Sequence, residues 1–161
     1  MTLKPDASGP VVDRAFIEAY FNAFAARDTE VFAQYLHDDV RWTISGPIDV
    51  IPYCGVHHGK AAVIDVMARR ARNVLGITHI AREQFLVQGN QGAALTRLTA
   101  QLRADGRTIS YRIANFFRFL DGKLIENVSL MDSFDAAEQV LGHVIDVDDA
   151  PPLANGNIAL L

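Results

Sequence analysis

Asn115 stands out because of its neighbours. It lies in Ser110–Leu120, a β-patterned run in which Ile113, Asn115, Phe117 and Phe119 share one face while Arg112, Ala114, Phe116 and Arg118 share the other. One face is therefore apolar with a single amide in its middle, the composition of a pocket floor. A buried amide left without partners costs on the order of 1–3 kcal/mol, so Asn115 calls for a polar partner or a ligand. His57 and His58 close an unusually apolar connection, Gly46–Gly59, which carries Ile48, Val50, Ile51 and Tyr53. Apolar connections of this length are often lids or pocket walls. Imidazole titrates near neutrality and serves as base or acid. In an extended segment, adjacent residues face opposite ways, so one of the pair is expected to point inward; the residues do not say which. The plainer reading, both histidines bonded to backbone or water in a loop, stands beside it. Asp49 in the same connection is a lesser candidate base. Asp132 is explained by a helix cap without any catalysis.

Other chemistries find no support. The five histidines, His37, His57, His58, His79 and His143, show no metal-ligand spacing, and Cys54 is the single cysteine, so neither a metal site nor an internal disulfide is expected. No glycine-rich phosphate loop or Gly-x-Ser-x-Gly elbow is present, and no cofactor is called for. The net charge of -4 argues against nucleic acid and anionic membrane as partners. No apolar run reaches the roughly 18 residues of a membrane span. The N-terminal MTLKPDASGP lacks an apolar signal region, making the cytoplasm the default expectation.

The elements that must position these groups follow from periodicity. Half of the 161 residues are hydrophobic, enough for one domain with a sizeable core. Residues 1–10 read as a flexible lead-in, 11–142 as the domain and 143–161 as a tail. Val12, Phe16, Tyr20 and Phe24 recur at i+4, predicting a helix over Val11–Arg27 with Tyr20 and Phe24 on its apolar stripe. Asp28 caps a short helix, Thr29–Leu36. A strand follows at Val40–Ser45, with Val40, Trp42 and Ile44 on one face, then the apolar connection. A third helix, Lys60–Val74, buries Ile64, Met67, Ala68 and Ala71. The rest is mostly β: Ile77–Gln88, Ala93–Ala104, Ser110–Leu120 and Lys123–Met131, joined through Gly89–Gly92, Asp105-Gly106 and Asp121-Gly122, the last a strong hairpin signal. A final helix covers Phe134–Gly142.

This order, with Glu18–Asp39 (EAYFNAFAARDTEVFAQYLHDD), Pro52–Val63 (PYCGVHHGKAAV) and Phe116–Phe134, resembles the nuclear-transport-factor-2-like superfamily, in its SnoaL-like and ketosteroid-isomerase-related branch, over about Val11–Gly142. The resemblance implies an α+β, cone-shaped fold: a curved mixed or antiparallel sheet wrapped around helices, enclosing an apolar pocket. It places Tyr20 at the tyrosine position of ketosteroid isomerase and Asn115 at its acidic oxyanion donor. An amide N–H can donate in place of that acid. The carboxylate base falls at Ile44, which cannot take a proton. The Asp–Arg–Asp set of limonene-epoxide-hydrolase-like enzymes falls near Leu98, Ala100 and Ser129, none ionisable. Dimers are common in the superfamily, so a homodimer is implied.

Three readings result. The first is a pocket that binds an apolar, carbonyl-bearing or hydroxylated small molecule, with Tyr20 and Asn115 holding its oxygen. His57 or His58 would move a proton in a cofactor-independent isomerisation or cyclisation. Phe24, Trp42, Ile44 and Tyr53, with Met67, Phe117 and Met131, would form the walls, although core packing accounts for the same residues. The second is a non-catalytic ligand-binding module with the same pocket. The third is a dimerisation module using the outer face of Arg112, Ala114, Phe116 and Arg118.

Overall fold

A computed structural model describes residues 12–146. Asp13 caps α1 (Arg14–Ala26) by accepting from Ala15 N, and Asp28 caps α2 (Thr29–Ala33) by accepting from Glu30 N and Val31 N. The first helix thus starts at Arg14; Val11, the lead-in and the tail beyond 146 lie outside the described residues. The second helix stops at Ala33, because Leu36 is already in β1 (Leu36–Ser45).

The apolar connection is not all loop. Gly55–His58 forms a strand, β2, antiparallel to β1, with Trp42 opposite His57 and Arg41 opposite His58. Four residues were too few to show as a strand between Gly55 and Gly59; pairing with β1 supplies their hydrogen bonds. The third helix is continuous but changes pitch. It runs as α3 (Lys60–Asp65), a π-helical turn (Val66–Arg70) and α4 (Ala71–Val74). Then come β3 (Leu75–Gln88), β4 (Gln91–Leu102), β5 (Thr108–Leu120), β6 (Lys123–Met131) and α5 (Ser133–Leu141), which Asp132 caps as expected.

The six strands form one sheet in the order β2-β1-β6-β5-β4-β3. All neighbours are antiparallel except β1 and β6. Asp121 (φ 49°) and Gly122 (φ 69°) both adopt the left-handed region, as the Asp-Gly hairpin requires. The predicted facing of β5 holds: Phe117 and Phe119 are buried, Arg112 and Phe116 exposed. Helices α1 and α2 cover part of the inner face through an aromatic cluster. Tyr20 packs on Phe21, Phe32, Tyr35, Phe117 and Phe119 with ring centroids 5.2–6.3 Å apart. Such pairs contribute roughly 0.5–1.5 kcal/mol each beyond area burial. This cluster plugs one part of the concave sheet; the remainder stays open.

Candidate functional site

The open part is a cavity of about 100 Å³, measured as the space available to the centre of a water-sized sphere. One water needs roughly 10–15 Å³ on that measure, so a small organic molecule has room. The walls come from α1 (Phe24), β1 (Trp42, Ile44), the connection (Tyr53), the third helix (Val63, Val66, Met67), β3 (Leu75, Ile77, Ile80) and the last strand (Met131). A second hollow, about 270 Å³, lies on the outer sheet face around Phe116, Arg118, Glu126 and Leu130. It is the larger by volume, but among the described residues its lining is largely apolar, with one ion pair, Arg118–Glu126 at 3.3 Å. The inner cavity is where polar groups from several elements converge on apolar walls, the arrangement expected of a ligand site.

Asn115 reaches this cavity from β5, and its surroundings fix which way its amide points. Ser129 Oγ donates to Asn115 Oδ1 at 2.7 Å, and Asn115 Nδ2 lies 3.5 Å from Thr96 Oγ1, which itself donates to Ile113 O at 3.2 Å. Trp42 Nε1 lies 2.8 Å from Ser129 Oγ and 2.8 Å from Asn127 Oδ1 when the Asn127 NH2 faces Phe116 O. That orientation avoids setting the indole N–H against an NH2. With its oxygen held by Ser129, Asn115 offers the cavity an N–H donor, suited to a ligand oxygen.

His57 is the inward member of the histidine pair. It is buried and lines the cavity, while His58, one residue on in the same strand, faces out and is exposed. His58 therefore does not belong to the site; alternation along β2 sends it to the opposite face. His57 Nε2 lies 3.0 Å from Tyr53 O. A carbonyl only accepts, so Nε2 carries the proton and Nδ1 is the basic nitrogen. Burial is the largest effect on this imidazole and holds its pKa below the usual histidine value; the Arg70 charge acts the same way, against the Tyr53 carbonyl and Asp65. His57 is consequently neutral at pH 7, the form that can accept a proton.

Tyr20 does not reach the cavity. Its ring is 3% exposed inside the aromatic cluster, because its turn of α1 packs onto Phe32 and β5; Phe24, four residues on, is the helix residue in the wall. Burial raises the Tyr20 pKa far above the ordinary phenol range. The phenols at the cavity are Tyr53 and Tyr111, whose hydroxyls lie 2.9 Å apart. Burial pushes both pKa values up, so both stay protonated, and whichever hydroxyl donates, the pair keeps one unspent O–H. Phe117 is also outside: its ring lies over Gly92 and stacks on Phe85 at 6.2 Å. Phe24, Trp42, Ile44, Tyr53, Met67 and Met131 are all in the wall. Asp49 is exposed, and Asp132 is occupied as the α5 cap.

Four polar wall residues were not singled out from the sequence: Arg27, Thr96, Tyr111 and Ser129. Tyr111 shares its strand parity with Ile113 and Asn115 and was findable on that ground. Ser129 was not, since a bulge sets its register. Among the described residues, no Asp or Glu lines the cavity and no group of three or more His, Cys, Asp or Glu able to hold a metal occurs, and no described helix is long and apolar enough to cross a membrane.

Comparison with known proteins places this geometry. A SnoaL-like domain matches residues 17–127. A solved candidate isomerase from Rhodopseudomonas palustris is 34% identical, with a TM-score of 0.69 over 80% of this chain and 94% of that one. TerC, co-crystallised with polyporic acid, is 22% identical, with a TM-score of 0.70 over 79% and 96% of the two chains. A candidate ketosteroid isomerase from Kribbella flavida is 20% identical, with a TM-score of 0.57 over 73% and 76%. The last two likenesses show the fold alone. A search of curated proteins finds no match.

Proposed function

Since this chain belongs to the SnoaL-like domain family, we propose that it is a small-molecule pocket protein that transfers a proton on an apolar compound bearing a carbonyl or hydroxyl, without a cofactor. The observation that carries this reading is a buried, neutral His57 in the wall of an apolar cavity that also holds the Asn115 N–H donor and the Tyr53–Tyr111 hydroxyl pair. His57 Nδ1 takes a proton from the carbon next to the ligand carbonyl. The bonding pair moves onto the oxygen, which accepts from Asn115 Nδ2 or the spare tyrosine O–H. Where a β,γ-double bond lies beside that carbon, the anion is a dienolate; the imidazolium returns the proton to its γ-carbon as the oxygen pair re-forms the carbonyl, giving the conjugated isomer and restoring the neutral base.

The test is proton exchange in deuterated water, followed by NMR, with a panel of cyclic β,γ-unsaturated ketones as probes. His57→Gln should lower exchange by roughly 10²–10⁴-fold while binding changes little. An unchanged rate removes the catalytic step and leaves the second reading, a binding module with the same apolar cavity. We also propose that the outer sheet face, where Phe116 and Leu130 are each 43% exposed, pairs with a second copy. Sedimentation should show a dimer that Phe116→Glu converts to monomer; a monomeric parent protein removes that proposal.

A further inference from the structure

Among the described residues, no carboxylate pairs with Arg27, a cation in the cavity wall. Arg27 ends α1 with φ 58°, and its side chain turns into the wall near Phe24 and Ala71. Its Nη1 is the one buried side-chain polar atom among the described residues that lacks a hydrogen-bond partner. The residue as a whole is half-buried and keeps its proton, but the buried Nη1 has lost water without gaining a partner, which is unfavourable.

The neighbours make this worse. Arg72 Nη2 donates to the Arg27 carbonyl at 3.0 Å, bringing a second guanidinium alongside. Burial, and then the Arg72 and Arg103 charges, disfavour the charged form of Arg27. The nearby Arg69 is already bound to Asp65 at 2.7 Å and Arg70 donates to Pro52 O, so no carboxylate on the adjoining helix is left to serve. Of these arginines only Arg27 lines the cavity, among whose described lining residues there is no acid, while the Arg72 and Arg103 charges act on it from outside.

We propose that the ligand of this cavity is an anion: an apolar compound carrying one ionised oxygen acid, a carboxylate or an acidic enol, whose charge pairs with the Arg27 guanidinium. This rests on reading the cavity as a ligand site. It adds a charge requirement to that reading, and it gives the ligand an orientation, with the acid at Arg27 and the apolar body between Met67 and the β3 wall. Guanidinium–oxyanion pairing is charge-assisted and directional, so it selects against a neutral compound of the same shape.

Trp42, the single tryptophan, lines the cavity and reports occupancy by its fluorescence. Benzoate, phenylacetate and naphthoate should be titrated against benzamide, phenylacetamide and naphthamide. The acids should bind at least about tenfold more tightly, in line with a hydrogen bond to a charged group. Arg27→Gln should abolish that preference by weakening the acids far more than the amides, and Arg27→Lys should retain part of it, with stronger dependence on salt. Equal binding of acids and amides by the parent protein, or a preference that survives Arg27→Gln, overturns the proposal and leaves the cavity reading intact. If no probe of either class perturbs Trp42, the cavity reading fails and this proposal with it. If Arg27→Gln does not fold, the acid-to-amide ratio of the parent protein and of Arg27→Lys still decides.

Discussion

The orientation of the Asn115 amide depends on one bond, and a double-mutant cycle measures it. Ser129→Ala removes the hydroxyl that donates to Asn115 Oδ1 at 2.7 Å. Trp42 Nε1 keeps Asn127 Oδ1 at 2.8 Å, so the loss falls on Asn115. Asn115 is half-buried, which puts the cost at the low end of the range for an unsatisfied acceptor, about 1 kcal/mol. Asn115→Leu strands the Ser129 hydroxyl instead; Asn127 Oδ1 at 3.2 Å takes up part of that loss, again leaving about 1 kcal/mol. When both are changed, neither partner is left behind, so the double variant should sit about 1 kcal/mol above the sum of the singles, inside the range seen for contacting pairs. Urea unfolding at pH 7 followed by Trp42 fluorescence reads the cycle. In thermal unfolding of a 161-residue chain, 1 kcal/mol corresponds to roughly 2–4 °C. Additivity within about 0.3–0.5 kcal/mol would show that Ser129 does not hold the amide, and the donor role of Asn115 would lose its basis.

Further outcomes are expected. Because burial lowers the His57 pKa, the unfolded chain binds its proton more tightly; stability should be full above the ordinary histidine value of about 6.5 and fall as pH drops through it toward the folded value, and His57→Gln should flatten that slope in urea midpoints. A pH-independent difference between the two proteins would refute the assignment. Gly92→Ala should destabilise by about 1–3 kcal/mol, since a Cβ there would run into the Phe117 ring and stand 2.7 Å from Leu86 O; thermal unfolding reads this, and an unchanged melting temperature would contradict the packing. Ultraviolet titration should find Tyr20, Tyr53 and Tyr111 still protonated beyond the ordinary phenol value of about 10, as their buried positions dictate; phenolate absorbance from more than one of the four tyrosines near that value would count against it.

What the sequence determined by itself was local. Alternation along Ser110–Leu120 assigned Asn115 and Phe119 to the inner face, Asp121-Gly122 set a turn that needs positive φ, and Asp28 and Asp132 marked helix starts; each depends on groups a few residues apart. The apolar character of 46–59 likewise signalled a cavity wall. Only the tertiary structure decided which groups meet. Counting back from the Asp121-Gly122 turn pairs Asn115 with Val128, whose side chain would be apolar. A bulge between Leu124 and Glu126 adds one residue to β6 and brings Ser129 opposite instead, and a one-residue shift exchanges the faces of a strand. The choice of His57 over His58 came from β2 pairing with β1, the exclusion of Tyr20 from the aromatic cluster between α1 and β5, and the placing of Arg27 in the cavity wall, its Nη1 without a partner among the described residues, from where α1 ends against the third helix. These are contacts between segments distant along the chain. Their geometry is fixed by packing, which no local pattern of residue types encodes.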